Sequence, residues 1–174
     1  HMLKMSGMID LIVPRGGAEL IKFVVSHATM PVLAGGIGVC HTYVDRSAKL
    51  GNAAAIVYNA KVQRPTVCNA LDTILVHVDV AERFLKGIGP EFAKAGVEMH
   101  CDPASQQILK EIPSLKVVPA TSQDWGKEFL ALIAAVKVVN SLDEALEHID
   151  RYGSGHSEAI VTEDYSAAQR FLEE

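Results

Sequence analysis

The segment NAKVQRPTVCNA, residues 59–70, holds the residue best suited to nucleophilic chemistry. Cys68 stands three positions after Pro65, in what reads as a turn between a helix and the buried run LDTILVHV. A packing cysteine sits inside a helix or strand as a small apolar residue, whereas a reactive one favours an open loop near positive charge. Lys61 and Arg64 supply that charge. Pro65 ends the helix, which leaves the amides of Cys68 and Asn69 free to face a developing oxyanion. A purely structural thiol is the competing reading. If the chemistry is of the cysteine–histidine type, the partner is His77 or His156. His77 lies in a strand pattern and reads as packed. His156, in YGSGHSE, follows two glycines and is the better polar candidate.

A second element with chemical potential is PRGGAEL, residues 14–20. A strand, a glycine turn and a helix form the geometry in which helix N-terminal amides receive a phosphate, and Arg15 adds a cation beside Gly16 and Gly17. A plain turn would explain the glycines equally well. GGIG, residues 35–38, does not fit the dinucleotide fingerprint and reads as a flexible loop. Cys40, Cys68 and Cys101 are odd in number and form no C-x-x-C pair, which fits free thiols in a reducing cytoplasm. Cys40-His41 and His100-Cys101 are adjacent pairs that a strand would point to opposite faces, so no metal site is expected.

These residues must be positioned by a globular scaffold. Of 174 residues 49% are apolar and 21% charged, enough to bury a core. The net charge of -5 and the lack of basic clusters argue against a nucleic-acid surface. The longest apolar runs are too short to span a bilayer, and no secretory leader pattern is visible. The leading His-Met pair reads as an expression remnant.

Strand-like runs are MIDLIVP, PVLAGG, VCHTYVD, DTILVHV, VEMHCD, LKVVPA, LALIAAVKVV and SEAIVTED. Between them lie helical patterns: GGAELIKFVVSHA; SAKLGNAAAIVYNAKV with Ser47 as N-cap; and DVAERFLKGIGPEFAKAG opened by Asp79. ASQQILKEI, SLDEALEHIDRYG with its serine cap and terminal glycine, and YSAAQRFLEE complete the set. Gly87, Gly89 and Pro90 should bend or interrupt the third helix. The alternation implies βαβ units in an α/β fold with a mostly parallel sheet. The chain begins in a strand and ends on a helix, and reads as an excerpt.

VPRGG, GGIGVCHTYVD, NAK-QRP--CNA and GHSEAIVTEDYSAAQRF together resemble the gamma-glutamyl phosphate reductase (glutamate-5-semialdehyde dehydrogenase) family of the aldehyde dehydrogenase superfamily. The resemblance runs in one register from about residue 8 to the end. It implies a three-layer α/β sandwich of the aldehyde dehydrogenase type. Residues 1–30 would be the C-terminal remnant of an NADP-binding domain, and residues 31–174 the cysteine-bearing catalytic domain without its C-terminal segment.

The implied activity is NADPH-dependent reduction of L-glutamate 5-phosphate to L-glutamate 5-semialdehyde, the second step of proline biosynthesis, with this piece inactive alone. Cys68 would form the thioester beside Asn69. Arg64, Lys61 and His156 would bind substrate, and Arg15, Gly16, Gly17 and Glu128 the cofactor. Partners to expect are L-glutamate 5-phosphate, glutamate 5-kinase and, at full length, further copies of the chain. One departure is Thr66-Val67 before the cysteine, where the family has two small residues such as Gly-Thr. VLAGGIG also lacks the glutamate with which aldehyde-oxidising members activate water, which suits a thioester awaiting hydride. The alternatives are a cysteine hydrolase or transferase without nicotinamide, and a non-catalytic binding module.

Overall fold

The computed structural model describes residues 1–174, the side chain of Ala18 excepted. The chain divides into two compact units, His1–Ile37 and Gly38–Glu174.

In the first unit a 3-10 turn, Met2–Lys4, precedes helix α1, Ala18–His27. The expected strands MIDLIVP and PVLAGG shrink to a single parallel bridge, Ile12 with Val32. Its bonds run from Ile12 N–H to Pro31 O (3.0 Å) and from Leu33 N–H to Ile12 O (2.9 Å). Pro14 and Pro31 explain the difference: each lacks the donor that a longer ladder needs.

The second unit is a six-stranded sheet with helices on both faces. In chain order its elements are β1 Cys40–Val44, α2 Leu50–Val62, β2 Thr73–His77, α3 Val78–Ala95, β3 Glu98–Cys101 and α4 Pro103–Leu109. Then come β4 Lys116–Pro119, β5 Ile133–Val139, α5 Leu142–Tyr152, β6 Ser157–Val161 and α6 Tyr165–Glu173. The strand order is β4-β3-β5-β2-β1-β6, and every pairing is parallel. The expected α/β sandwich is present, with a sheet that is wholly rather than mostly parallel.

β1 and β2 are buried at every position, as strands covered on both faces must be. Alternate side chains then serve opposite layers. Val44, Ile74, Val76 and Val136 join the core under α2, α3 and α4, with Phe84, Leu85 and Phe92. Tyr43, Leu75 and Val139 face the other way and pack with Ala145 and Leu142 of α5 and Phe171 of α6.

Three local expectations are corrected. α2 begins at Leu50 after Lys49, without a side-chain cap. Ser47 instead ties the carboxyl edge together: its Oγ donates to Asp45 (2.7 Å) and accepts the N–H groups of Glu163 and Asp164 (3.1 Å each). α3 runs unbroken through Gly87, Gly89 and Pro90, because Pro90 is exposed and water can take the carbonyl that its ring leaves unbonded. His77, not Asp79, caps that helix, its Nδ1 accepting the Asp79 N–H at 3.2 Å. The expected terminal glycine of α5 is Gly153, in extended conformation (φ -71°). A side chain there would fall 2.6 Å from Ile149 O and 2.9 Å from Glu158 Oε1.

Candidate active site

Cys68 lies in two overlapping turns that lead into β2. Val67 N–H bonds to Arg64 O (3.4 Å) and Ala70 N–H to Val67 O (3.0 Å). The turns place Cys68 at the amino-terminal edge of the sheet, opposite the carboxyl edge where open α/β sheets usually bind ligands. The starts of β1, β5 and β6 meet it there. Of the three thiols Cys68 alone is exposed; Cys40 and Cys101 are buried.

The backbone around the thiol has a definite orientation. The Cys68 carbonyl points inward, where it accepts the Cys40 thiol at 3.3 Å and lies against Gly38. A Cβ on Gly38 would sit 2.2 Å from that oxygen, so only glycine lets the segment before β1 approach the Cys68 turn this closely. Because the trans peptide is planar, an inward Cys68 carbonyl directs the Asn69 N–H outward. Among the described residues, neither the Cys68 nor the Asn69 N–H donates to a protein acceptor. An exposed sulfur beside two uncommitted amides is a donor set for an oxyanion.

Asp72, 1% exposed, holds this edge together. Its Oδ2 accepts the Cys40 N–H (3.2 Å), its Oδ1 the Phe129 N–H (2.9 Å), and its own N–H returns to Cys40 O (3.0 Å). Burial pushes its carboxyl above the usual range, against the Phe129 amide and the Lys61 charge.

Lys61 is placed inside the fold. It was expected to bind substrate, but its side chain is fully buried and Nζ donates to Ala131 O (3.1 Å) and Ile133 O (2.8 Å). Burial holds its pKa below the usual lysine value. It therefore acts as an internal brace, clamping the connector before β5 opposite Asp72. Leu130, between the two clamps, is held at φ 50°, a conformation that leucine rarely adopts and that costs about 1–3 kcal/mol. Glu128, half-buried, immediately precedes this clamped segment and lies close enough to Asp72 for its charge to be felt there.

Arg64 and Asn69 are exposed beside Cys68, and Arg64 makes no ion pair among the described residues. His156 is exposed at the head of β6, after the left-handed Gly155 (φ 67°). Its Nδ1 lies 3.0 Å from Ser157 Oγ and 3.9 Å from Cys40 Sγ, which brings it to the same edge. Arg15, Gly16 and Gly17 belong to the first unit. There Gly17 caps α1 without a side-chain bond, and all three residues are exposed.

The sequence reading missed Gly38, Cys40 and Asp72. The signals were an apparently idle glycine in GGIG and a carboxylate set directly before a buried strand. A hollow of about 730 Å³ between α5 and α6, lined by Asp143, Leu146, Ile149, Arg170 and Phe171 among others, includes none of the residues around Cys68.

No family model matches the chain. A curated gamma-glutamyl phosphate reductase of Dehalococcoides mccartyi is 61% identical over all 174 residues. Over its whole length this chain is similar to gamma-glutamyl phosphate reductases. It spans 41% of the length of that relative. The crystal structure of the Thermotoga maritima gamma-glutamyl phosphate reductase superposes with a TM-score of 0.92 at 47% identity, covering 99% of this chain and 41% of that one. A Staphylococcus aureus AldH shares the fold at TM-score 0.72 and 20% identity, over 95% of this chain and 44% of its own.

Proposed function

We propose that Cys68 is the nucleophile of an acyl-phosphate reductase, and that the full protein converts L-glutamate 5-phosphate to L-glutamate 5-semialdehyde with NADPH in proline biosynthesis. The observation that carries this reading is the exposed Cys68 thiol beside the unbonded N–H groups of Cys68 and Asn69. The Cys68 thiolate attacks the acyl carbon, and the carbonyl oxygen takes up negative charge facing the two amides. The carbon–oxygen bond to phosphate then breaks, leaving a thioester on Cys68. Arg64, the exposed cation of this turn, pairs with the phosphate or carboxylate of the substrate. His156 offers a polar group from the head of β6.

The residues present fit a dinucleotide in their chemistry. The uncapped α1 N-terminus with Arg15, Gly16 and Gly17 offers donors to a pyrophosphate, and the partly open Glu128 carboxylate offers acceptors to a ribose diol. When bound, NADPH supplies the hydride that turns the thioester carbon into a thiohemiacetal; the carbon–sulfur bond then breaks to release the aldehyde and restore Cys68. Residues 1–30 belong, on this reading, to the nucleotide-binding domain and 31–174 to the catalytic domain.

The test uses the full-length protein with glutamyl phosphate made in place from glutamate and ATP by a kinase. Cys68→Ala should abolish NADPH oxidation, and the wild type without NADPH should carry a glutamyl adduct on Cys68 by peptide mass spectrometry. An adduct on another residue, or activity surviving in Cys68→Ala, overturns the assignment.

A further inference from the structure

We propose that Cys40 is a resolving thiol for Cys68: once a peroxide oxidises Cys68, the two residues join in a reversible disulfide. The inference rests on the reading of Cys68 as a reactive thiol. Cys40 Sγ lies 3.3 Å from the Cys68 carbonyl oxygen, and the space beside Gly38, two residues earlier on the same side of the chain, lies 3.3 Å from Cys68 Cβ. The Cys68 charge is also felt at the Cys40 sulfur, so the two residues are neighbours at this edge; a disulfide needs their Cα atoms to come to about 4.4–6.8 Å. Cys101 ends β3, and β5 and β2 separate that strand from β1, so it takes no part.

The two thiols are prepared for different tasks. Cys68 is exposed and meets the oxidant first. Burial and the Asp72 carboxylate push the Cys40 thiol up to about 11, so it stays protonated and inert to peroxide. His156 Nδ1, 3.9 Å from Cys40 Sγ, is placed to take the thiol proton when it is needed.

The chemistry balances in two steps. The Cys68 thiolate attacks one oxygen of hydrogen peroxide, the O–O bond breaks, and Cys68 becomes a sulfenic acid as the departing hydroxide takes a proton to form water. The Cys40 sulfur then attacks the sulfenic sulfur and the S–O bond breaks. The Cys40 proton, passed through His156, leaves with the hydroxide as a second water. One peroxide is reduced and two thiols are oxidised. Without Cys40, further peroxide would carry Cys68 to the sulfinic acid, which ordinary thiols do not reverse.

The experiment treats the purified chain with hydrogen peroxide at neutral pH, blocks remaining thiols, and maps peptides without reduction. Free thiols should fall from three to one. The Cys40 and Cys68 peptides should be linked with the loss of two hydrogens, and dithiothreitol should restore all thiols. Cys40→Ser should convert Cys68 mainly to sulfinic acid under the same treatment. The wild-type map needs no variant, so a poorly folding Cys40→Ser leaves the test intact. Sulfinic Cys68 in the wild type, with Cys40 free, overturns the proposal. Iodoacetamide separates the two readings: a Cys68 that alkylates readily yet never links to Cys40 removes the disulfide alone, whereas a Cys68 inert to both reagents removes the nucleophile as well.

Discussion

Gly38→Ala should disable the Cys68 turn although residue 38 carries no chemical group. The added Cβ would stand 2.2 Å from Cys68 O and 3.1 Å from its carbonyl carbon, where ordinary contact begins at 3.4 Å. The obstruction is backbone, so no rotamer change relieves it, and the Cys68 peptide must retreat by about 1.2 Å. That motion strains the Cys40 thiol bond and swings the Asn69 N–H away from its outward aim. Overpacking of this kind costs about 1–3 kcal/mol in stability. A displacement near 1 Å at a reacting centre, with one oxyanion donor misdirected, lowers turnover about 100-fold. Urea unfolding of the chain reads the first effect as a lower midpoint at constant slope. NADPH consumption by the full-length variant reads the second, with kcat falling more than KM rises. Gly51→Ala, whose added Cβ meets nothing within 4 Å, is the control. A Gly38→Ala protein with wild-type midpoint and turnover would refute the idea that this contact sets the turn.

Iodoacetamide at pH 8 should label Cys68 well before Cys40 or Cys101, whose thiols burial lifts to about 11 and about 12; mass spectrometry showing either of these labelled first contradicts the site. Arg64→Ala in the full-length protein should lower kcat/KM by on the order of 2–4 kcal/mol if its guanidinium pairs with a desolvated substrate anion, and unchanged kinetics would return Arg64 to solvent. Burial, then the His41 and Lys137 charges, push the His148 pKa down from 6.5 to about 3, with Glu144 opposing and Arg151 adding to the shift. Stability from neutral His148 is therefore complete above pH 6.5 and lost as pH falls toward 3, by on the order of 4 kcal/mol. Urea midpoints for His148→Phe should fall less steeply over that window than those of the wild type, and parallel curves would contradict the assignment. Within α3, Gly87→Ala should stabilise by about 0.5–1 kcal/mol because its Cβ meets open space, whereas Gly89→Ala should gain less because its Cβ would lie 2.1 Å from Ile112 Cδ1 and force that side chain to shift; thermal melts should separate the two.

TILVH and IAAVKVV announced central strands because runs of β-branched residues mark positions covered on both faces. Ser141 was a visible cap, since capping is local: its Oγ accepts the Glu144 N–H three residues on. What stayed hidden depends on contacts across long stretches of chain. Lys61 looked like an anion receptor beside Cys68, yet its partners are carbonyls 70 and 72 residues later. Ser47 looked like a helix cap until the β6 turn, more than 110 residues on, claimed its hydroxyl. Gly38 looked like slack because glycine serves looseness and close approach alike, and only the position of Cys68 tells them apart. Its turn and the neighbouring cations singled out Cys68, and the resemblance pointed to Glu128, but the Asp72 clamp between their segments joins residues too far apart in sequence to be read there.

The strand order has a consequence for how the molecule assembles. β1 with β2, and β3 with β4, are each neighbours joined by one helix, and can pair soon after both members leave the ribosome. Between these two halves lies β5, which pairs with β2 on one side and β3 on the other. The early halves therefore have no hydrogen bonds to each other until a strand some 30 residues beyond β3 inserts and closes the sheet. Loop closure over that distance must precede most of the stabilising contacts, which places the folding barrier late in the chain. Until then the inner edges of β2 and β3 remain open, the surfaces on which a nascent chain most readily pairs with the wrong neighbour.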